Sequence, residues 1–306
     1  LSRRGMSLVA GAGCRVRDGR GRDYLDLTSG HGVQALGHGH PAVVEAIRQG
    51  ATDLLHVGQS FAHPQRAAFL EEITQVLPRG LDRVFLSNSG AEAVETALRI
   101  ALSATGRSRV LALRRGFHGR TLGALSLTFN PRYRKGLEGR LLDVDHIRPN
   151  DPSDLCARDG SRYAALFMEL VQGEGGVHVL DPEWVQTAAE WCRKEGVLLV
   201  VDEVQTGLGR TGTLWACEHF GLNPDLLCAS KALAVGLPLG LTGWNSDIRP
   251  QEGLAGTTLG GNPLSCRVAR VVLEVLTRPG FLPGIANRGA CWRKRLQEAN
   301  LPGLIE

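Results

Sequence analysis

The run Gly196-Val197-Leu198-Leu199-Val200-Val201 is apolar throughout and is followed at once by Asp202 and Glu203. A strand that is apolar on both faces needs cover on both faces, which a sheet open to water on one side does not provide. Four further short runs, Arg83–Ser87, Arg109–Leu113, Tyr163–Glu169 and Leu226–Ser230, also read as strands. Amphipathic stretches lie between them, among them Ala91–Ala104 and Glu183–Lys194, and read as helices. Strands alternating with helices predict an α/β protein with a mostly parallel sheet covered on each side. Residues 1–50 are different in kind: Gly-rich, with a strand at Tyr24–Leu27 and a helix at Pro41–Gln49, they predict a smaller N-terminal lobe. A long helical pattern begins near residue 264.

In such sheets ligands bind beyond the carboxyl ends of the strands. The residues that follow each run are therefore informative. They are Asn88-Ser89-Gly90-Ala91-Glu92, Gly116-Phe117-His118-Gly119-Arg120, Glu169 with Gln172–Gly176, Asp202-Glu203-Val204-Gln205, and Lys231. Five strand ends deliver polar or aromatic groups to one rim.

Any chemistry that needs a primary amine has four positions to use, because only Lys135, Lys194, Lys231 and Lys294 are lysines among 35 basic residues. Lys135, Lys194 and Lys294 lie in charged surroundings, and clusters such as Arg132–Lys135 read as solvated faces. Lys231 sits in the apolar Leu226-Leu227-Cys228-Ala229-Ser230-Lys231-Ala232-Leu233. Burial there lowers the amine's pKa and makes it a nucleophile for carbonyls, unless the side chain snorkels out. Ser89–Glu92 is a capping box at a helix start, and the same free amides and helix dipole suit a phosphate. Asp202 and Glu203 face opposite ways on a strand, so one of them enters the site, as a general acid/base, a metal ligand or the partner of a cofactor's ring nitrogen. A lysine for an aldehyde, a carboxylate for a ring nitrogen and a helix terminus for a phosphate together account for pyridoxal phosphate. Phe117, between glycines, suits ring stacking, and Arg120 suits a bidentate grip on a substrate carboxylate.

The net charge of +4 is spread along the chain without a recognised nucleic-acid module, so nucleic acid is not an expected partner. Seven cysteines without a C-x-x-C pair fit a reducing cytoplasm rather than a disulfide or zinc framework. The histidines offer no H-E-x-x-H spacing, so no metal is expected. No apolar run reaches membrane-spanning length, and the N-terminus has no signal-peptide core. Gly207-Leu208-Gly209-Arg210-Thr211-Gly212 matches the dinucleotide fingerprint. Residues 202–206 intervene after the strand, however, and Asp225 precedes the next strand instead of ending it. A nicotinamide dehydrogenase is therefore the weaker reading.

Taken together, these residues resemble the class III aminotransferases of pyridoxal-phosphate fold type I, most of all the acetylornithine and ornithine aminotransferase branch. The matching stretches are Leu36–Pro41, Asn88–Ala93, Phe117–Thr121, Val171–Val177, Val201–Gly212, Ser230–Gly240 and Gly256–Pro263, in the family's order. The resemblance implies a large domain with a mostly parallel seven-stranded sheet and a smaller α+β domain. Residues 1–50 would open the small domain, 51–265 form the cofactor-binding domain, and 266–306 begin a C-terminal small-domain portion whose remainder, with its gate arginine, is missing. By the same resemblance Lys231 bonds the cofactor covalently and moves the proton, and Asp202 pairs with the ring nitrogen. Val204 and Gln205 lie along the ring, Gly90 and Ala91 hold the phosphate, and Phe117 stacks on the ring. Arg120 binds a substrate carboxylate, Thr257 contacts substrate, and Glu174 is the gate carboxylate. Thr258 reaches the phosphate of a neighbouring subunit, which implies a homodimer with shared sites.

Leu170, Ala234, Val235, Ala255 and Leu259 depart from the family pattern, Ala234 and Val235 standing where two glycines are usual. The implied reaction is transfer of an ω-amino group from an acetylornithine- or ornithine-like donor to 2-oxoglutarate, giving glutamate and a semialdehyde, as in arginine biosynthesis. Acylated or carrier-bound lysine and 4-aminobutyrate are alternative donors, and a truncated inactive paralogue is an alternative role.

Overall fold

A computed structural model describes residues 5–299; residues 1–4 and 300–306, the end of the portion expected to begin the C-terminal small domain, lie outside the described residues. The chain begins with a three-stranded antiparallel sheet of β1 (Leu8–Ala12), β2 (Arg15–Asp18) and β3 (Asp23–Leu25). Its turn is organised by the buried carboxylate of Asp18, which accepts from the Arg20 and Arg22 amides and from the Tyr24 hydroxyl, each at 2.9 Å. Helices α1 (Pro41–Thr52) and α2 (Pro64–Thr74) follow, both with proline in the first turn, where no amide is needed.

The main sheet is built from β4 (Arg83–Ser87), β5 (Arg109–Leu113), β6 (Val144–Ile147), β7 (Tyr163–Met168), β10 (Leu198–Asp202), β11 (Leu226–Ala229) and β12 (Gly240–Trp244), while β8 (Val171–Gln172) and β9 (His178–Val179) form a separate hairpin. The strand order is β4-β12-β11-β10-β7-β5-β6, and only β12 runs against its neighbours. Successive residues of one strand feed two different cores: Leu111 and Leu113 enter one, Val110 and Ala112 the other, and Val201 and Val200 divide likewise. That split is the structural form of the double-sided apolar pattern.

The crossover helices start and stop where side chains dictate. In α3 (Gly90–Thr105) the Ser89 hydroxyl accepts the Glu92 amide at 3.2 Å, and the helix ends at Gly106 in the left-handed region. Two short helices, α4 (Leu122–Leu127) and α5 (Pro131–Arg134), fold over the rim after β5. The helix α6 (Pro182–Glu195) is capped by Asp181 and terminated by Gly196 at φ 63°. The amphipathic α7 (Pro263–Leu276) packs on α1 and α2, and α8 (Phe281–Glu298) carries no buried residue.

The strand β12 was not legible from periodicity. Its Gly240 has no side chain because a Cβ there would lie 2.3 Å from the Ser89 carbonyl. The Gly207–Gly212 stretch opens no helix. A Cβ on Gly209 would meet Leu282 and Leu276, and one on Gly212 would meet Ala286 at 3.1 Å, so these glycines serve packing against α7 and α8.

Candidate active site

The carboxyl ends of β4, β5, β7, β10 and β11 do converge. Lys231 follows β11 and adopts φ 37°, a left-handed backbone that a non-glycine residue holds only under constraint. Its side chain is half-buried, and a Cβ on Gly32 would come within 3.9 Å of its Cδ. Burial lowers the Lys231 pKa, an effect partly offset by the charges of Asp202 and Glu169.

Asp202 is 4% exposed at the end of β10. Its Oδ2 lies 2.8 Å from His118 Nδ1, and its Oδ1 accepts the Val204 amide at 3.0 Å. Burial opposes a charged His118, but the hydrogen bond to Asp202 and its charge outweigh that, and the imidazole pKa is raised. His118 Nε2 is buried without a partner among the described residues. Of the paired carboxylates only Asp202 turns to the site. Glu203 faces the opposite core, where it accepts from Thr206 Oγ1 at 2.5 Å and the Cys217 amide at 2.9 Å.

The start of α3 has the geometry of an anion cradle. The Gly90 and Ala91 amides have no acceptor among the described residues, since Ser89 caps only Glu92. A Cβ on Gly90 would lie 2.7 Å from Val204 Cγ1, so glycine lets the β10 loop close against the helix start. Asn88 Nδ2 donates to Thr257 Oγ1 at 3.0 Å and to Glu92 Oε2 at 2.9 Å, joining the 257–261 loop to the cradle. Thr258, by contrast, is exposed.

Phe117 lines the cavity, and its amide donates to Glu169 Oε2 at 2.8 Å. Burial pushes the Glu169 pKa up to about 7. Gln205, Phe117, Glu174 and Lys231 share a cavity of 530 Å³ with Ser29, His31 and Arg210. Gln205 Oε1 occupies the place that a Cβ on Gly173 would take, 1.8 Å away. A larger groove of 650 Å³ between α1, α2 and α7 holds mixed charges and no lysine.

Arg120 is exposed, with its guanidinium 4.9 Å from the ring centre of Tyr133. The Tyr133 hydroxyl donates to Glu174 Oε1, and its ring meets Phe117 edge-on at 5.6 Å. Sequence reasoning missed Tyr133 because Arg132–Lys135 reads as a solvated face. His118 and Glu169 stood inside the quoted stretches, but nothing local shows that both are buried beside Asp202. Among the described residues no helix is long and apolar enough to cross a membrane, and no group of three or more His, Cys, Asp or Glu is placed to hold a metal ion.

A half-buried lysine, a buried carboxylate and two free amides at a helix start, on one rim of a doubly covered sheet, fit pyridoxal phosphate and define a fold type I transferase. The family described as aminotransferase class-III matches residues 3–302, and the chain belongs to it. It is 43% identical to the [LysW]-aminoadipate semialdehyde transaminase of Deinococcus radiodurans over 98% of this chain and 71% of that protein. It is 38% identical to the acetylornithine aminotransferase of Archaeoglobus fulgidus over 97% and 80%. The fold is similar to that of the ornithine aminotransferase from Toxoplasma gondii, with a TM-score of 0.93, 32% identity, and 100% and 75% of the two chains covered. The protein is a pyridoxal-phosphate-dependent aminotransferase, and it takes an amino donor and a keto acid.

Proposed function

We propose that the donor group is the distal amine of an ornithine- or lysine-like amino acid, with acetylornithine the first candidate, and that 2-oxoglutarate is the acceptor. The observation that carries this reading is Lys231, held in a strained backbone beside a buried carboxylate within a cavity that also carries Glu174 and Phe117. The relatives' names support the donor class. They also keep a carrier-bound, lysine-like donor open as a second reading, since the 43% identical relative is named for a [LysW]-aminoadipate semialdehyde.

Bound pyridoxal phosphate supplies an aldehyde that takes up the amine and an electron-poor ring that stores the electron pair released at the neighbouring carbon. Lys231 would hold the cofactor through Nζ and, when released, move the proton to and from that carbon, a task its lowered pKa suits. Asp202, fixed by His118 and the Val204 amide, would keep the ring nitrogen protonated. Gly90 and Ala91 would donate to the phosphate with the α3 dipole behind them. Phe117 and Val204 would flank the ring, with Gln205 near its phenolic oxygen. Arg120 would bind the substrate carboxylate, with Thr257 and Glu174 bordering it.

The chain would work as a homodimer. The exposed Thr258 would serve the neighbouring subunit's phosphate, next to Leu259, which is 55% exposed. The test is a donor panel of N-acetylornithine, ornithine, an acylated lysine and 4-aminobutyrate, with glutamate formation from 2-oxoglutarate as the readout. Preference for acetylornithine or ornithine supports the first reading, and preference for the acylated lysine supports the second. Preference for 4-aminobutyrate, or no turnover of any donor, overturns both.

A further inference from the structure

Glu174 lines the cavity and Arg120 lies exposed at the loop after β5, yet neither of these opposite charges is ion-paired among the described residues. Tyr133 stands between them. The guanidinium of Arg120 lies 4.9 Å from the ring centre, and the hydroxyl donates to Glu174 Oε1. The same ring touches Phe117 edge-on, 5.6 Å between centroids, so its position is tied to the cavity wall. The proline at the first position of α5 and the Asn130 cap, which accepts the Arg132 amide at 3.0 Å, hold the short helix that carries it.

The chemistry of the three groups gives the arrangement a purpose. A guanidinium over an aromatic face uses its own face and leaves its N–H edge free, and that edge is the part that grips a carboxylate in a fork. A carboxylate that accepts a phenol proton is partly satisfied and is held at a fixed point. Without the tyrosine, the arginine and the glutamate would be free to meet as an ordinary ion pair, and a substrate carboxylate would then have to displace Glu174 before binding.

We propose that Tyr133 is a positioning residue that keeps Arg120 and Glu174 apart, and so sets the preference of this site for substrates that bear a carboxylate. The proposal deepens the reading of Arg120 as the carboxylate-binding residue and depends on it. Three consequences follow from the geometry. Removing the ring and hydroxyl lets the two charges pair and weakens carboxylate binding. Neutralising Glu174 in the same protein removes the competitor and restores binding. A carboxylate-free amine is indifferent to both changes.

The experiment measures the dissociation constant of 2-oxoglutarate for the cofactor-loaded protein, together with kcat and KM. The proteins compared are the parent, Tyr133→Leu, Tyr133→Phe, Arg120→Ala and the double variant Tyr133→Leu/Glu174→Gln. Tyr133→Leu is expected to raise Kd and KM for 2-oxoglutarate by about five- to tenfold with kcat little changed. Tyr133→Phe, which keeps the ring and releases Glu174, is expected to fall between it and the parent. The double variant is expected to return close to the parental Kd. An unchanged Kd in Tyr133→Leu, or a raised Kd that Glu174→Gln does not rescue, overturns the proposal. An unchanged Kd in Arg120→Ala overturns the underlying carboxylate site instead, so the two failures are distinguishable.

Discussion

His118 Nδ1 lies 2.8 Å from Asp202 Oδ2, with the imidazole side chain wholly closed to solvent and the carboxylate nearly so. The pair joins the loop after β5 to the end of β10. His118→Phe keeps an aromatic ring but leaves Asp202 without its partner. Breaking a buried pair in this way is expected to destabilise the fold by about 3–5 kcal/mol. Urea denaturation of the cofactor-free protein checks it, and a loss below about 1 kcal/mol would show that the pair adds little.

The proposed anchor for the cofactor's aldehyde is Lys231, which lines the cavity. Borohydride reduction followed by peptide mapping is expected to put the cofactor mass on Lys231, and Lys231→Ala to lower turnover by about 10²–10⁴-fold, the range of a lost proton-transfer group. Cofactor mass on Lys135, Lys194 or Lys294 would overturn the assignment.

Glu169 sets a pH dependence whose sign follows from burial. Its proton leaves near 4.5 in the unfolded chain and near 7 in the folded one. Across that window the native state binds the extra proton, so stability falls as pH rises and levels off above about 7. The contribution is on the order of 3 kcal/mol. Glu169→Gln is expected to flatten the slope of unfolding free energy between pH 5 and 7, and an unchanged slope would rule out Glu169 as its source.

Val235 is a β-branched residue at φ 39°, where the backbone strongly favours glycine. Val235→Gly is expected to stabilise the protein by about 1 kcal/mol, relief of strain exceeding the entropy that glycine adds to the unfolded chain. Thermal unfolding should show a higher midpoint. A lower one would mean that Val235 packing outweighs its backbone strain.

Much of this was legible in the chain because the signals are local. A run such as Val197–Val201 shows its two-sided burial in its own letters, and the Ser89–Glu92 cap needs only four residues. The strand β12 was hidden because close approach to the Ser89 carbonyl requires Gly240, and glycine carries no periodic signal. Tyr133 was hidden among charges, and its contacts with Arg120, Glu174 and Phe117 arise only once α5 folds over the rim. The contact between Asn88 and Thr257 likewise joins residues that lie far apart in sequence.

The reversed strand β12 has a consequence for how the protein is made. Among the described residues β4 pairs only with β12 in the main sheet, so residues 83–87 must wait for residues 240–244 before they have a sheet to join. Contacts of such long sequence separation form slowly, and the waiting segment is exposed meanwhile. The amides of Gly90 and Ala91 hang from the end of β4, and Lys231 lies just before β12. A nascent chain therefore brings the proposed anion cradle to the proposed anchoring amine only after residues 240–244 have been made and β4 has docked on them.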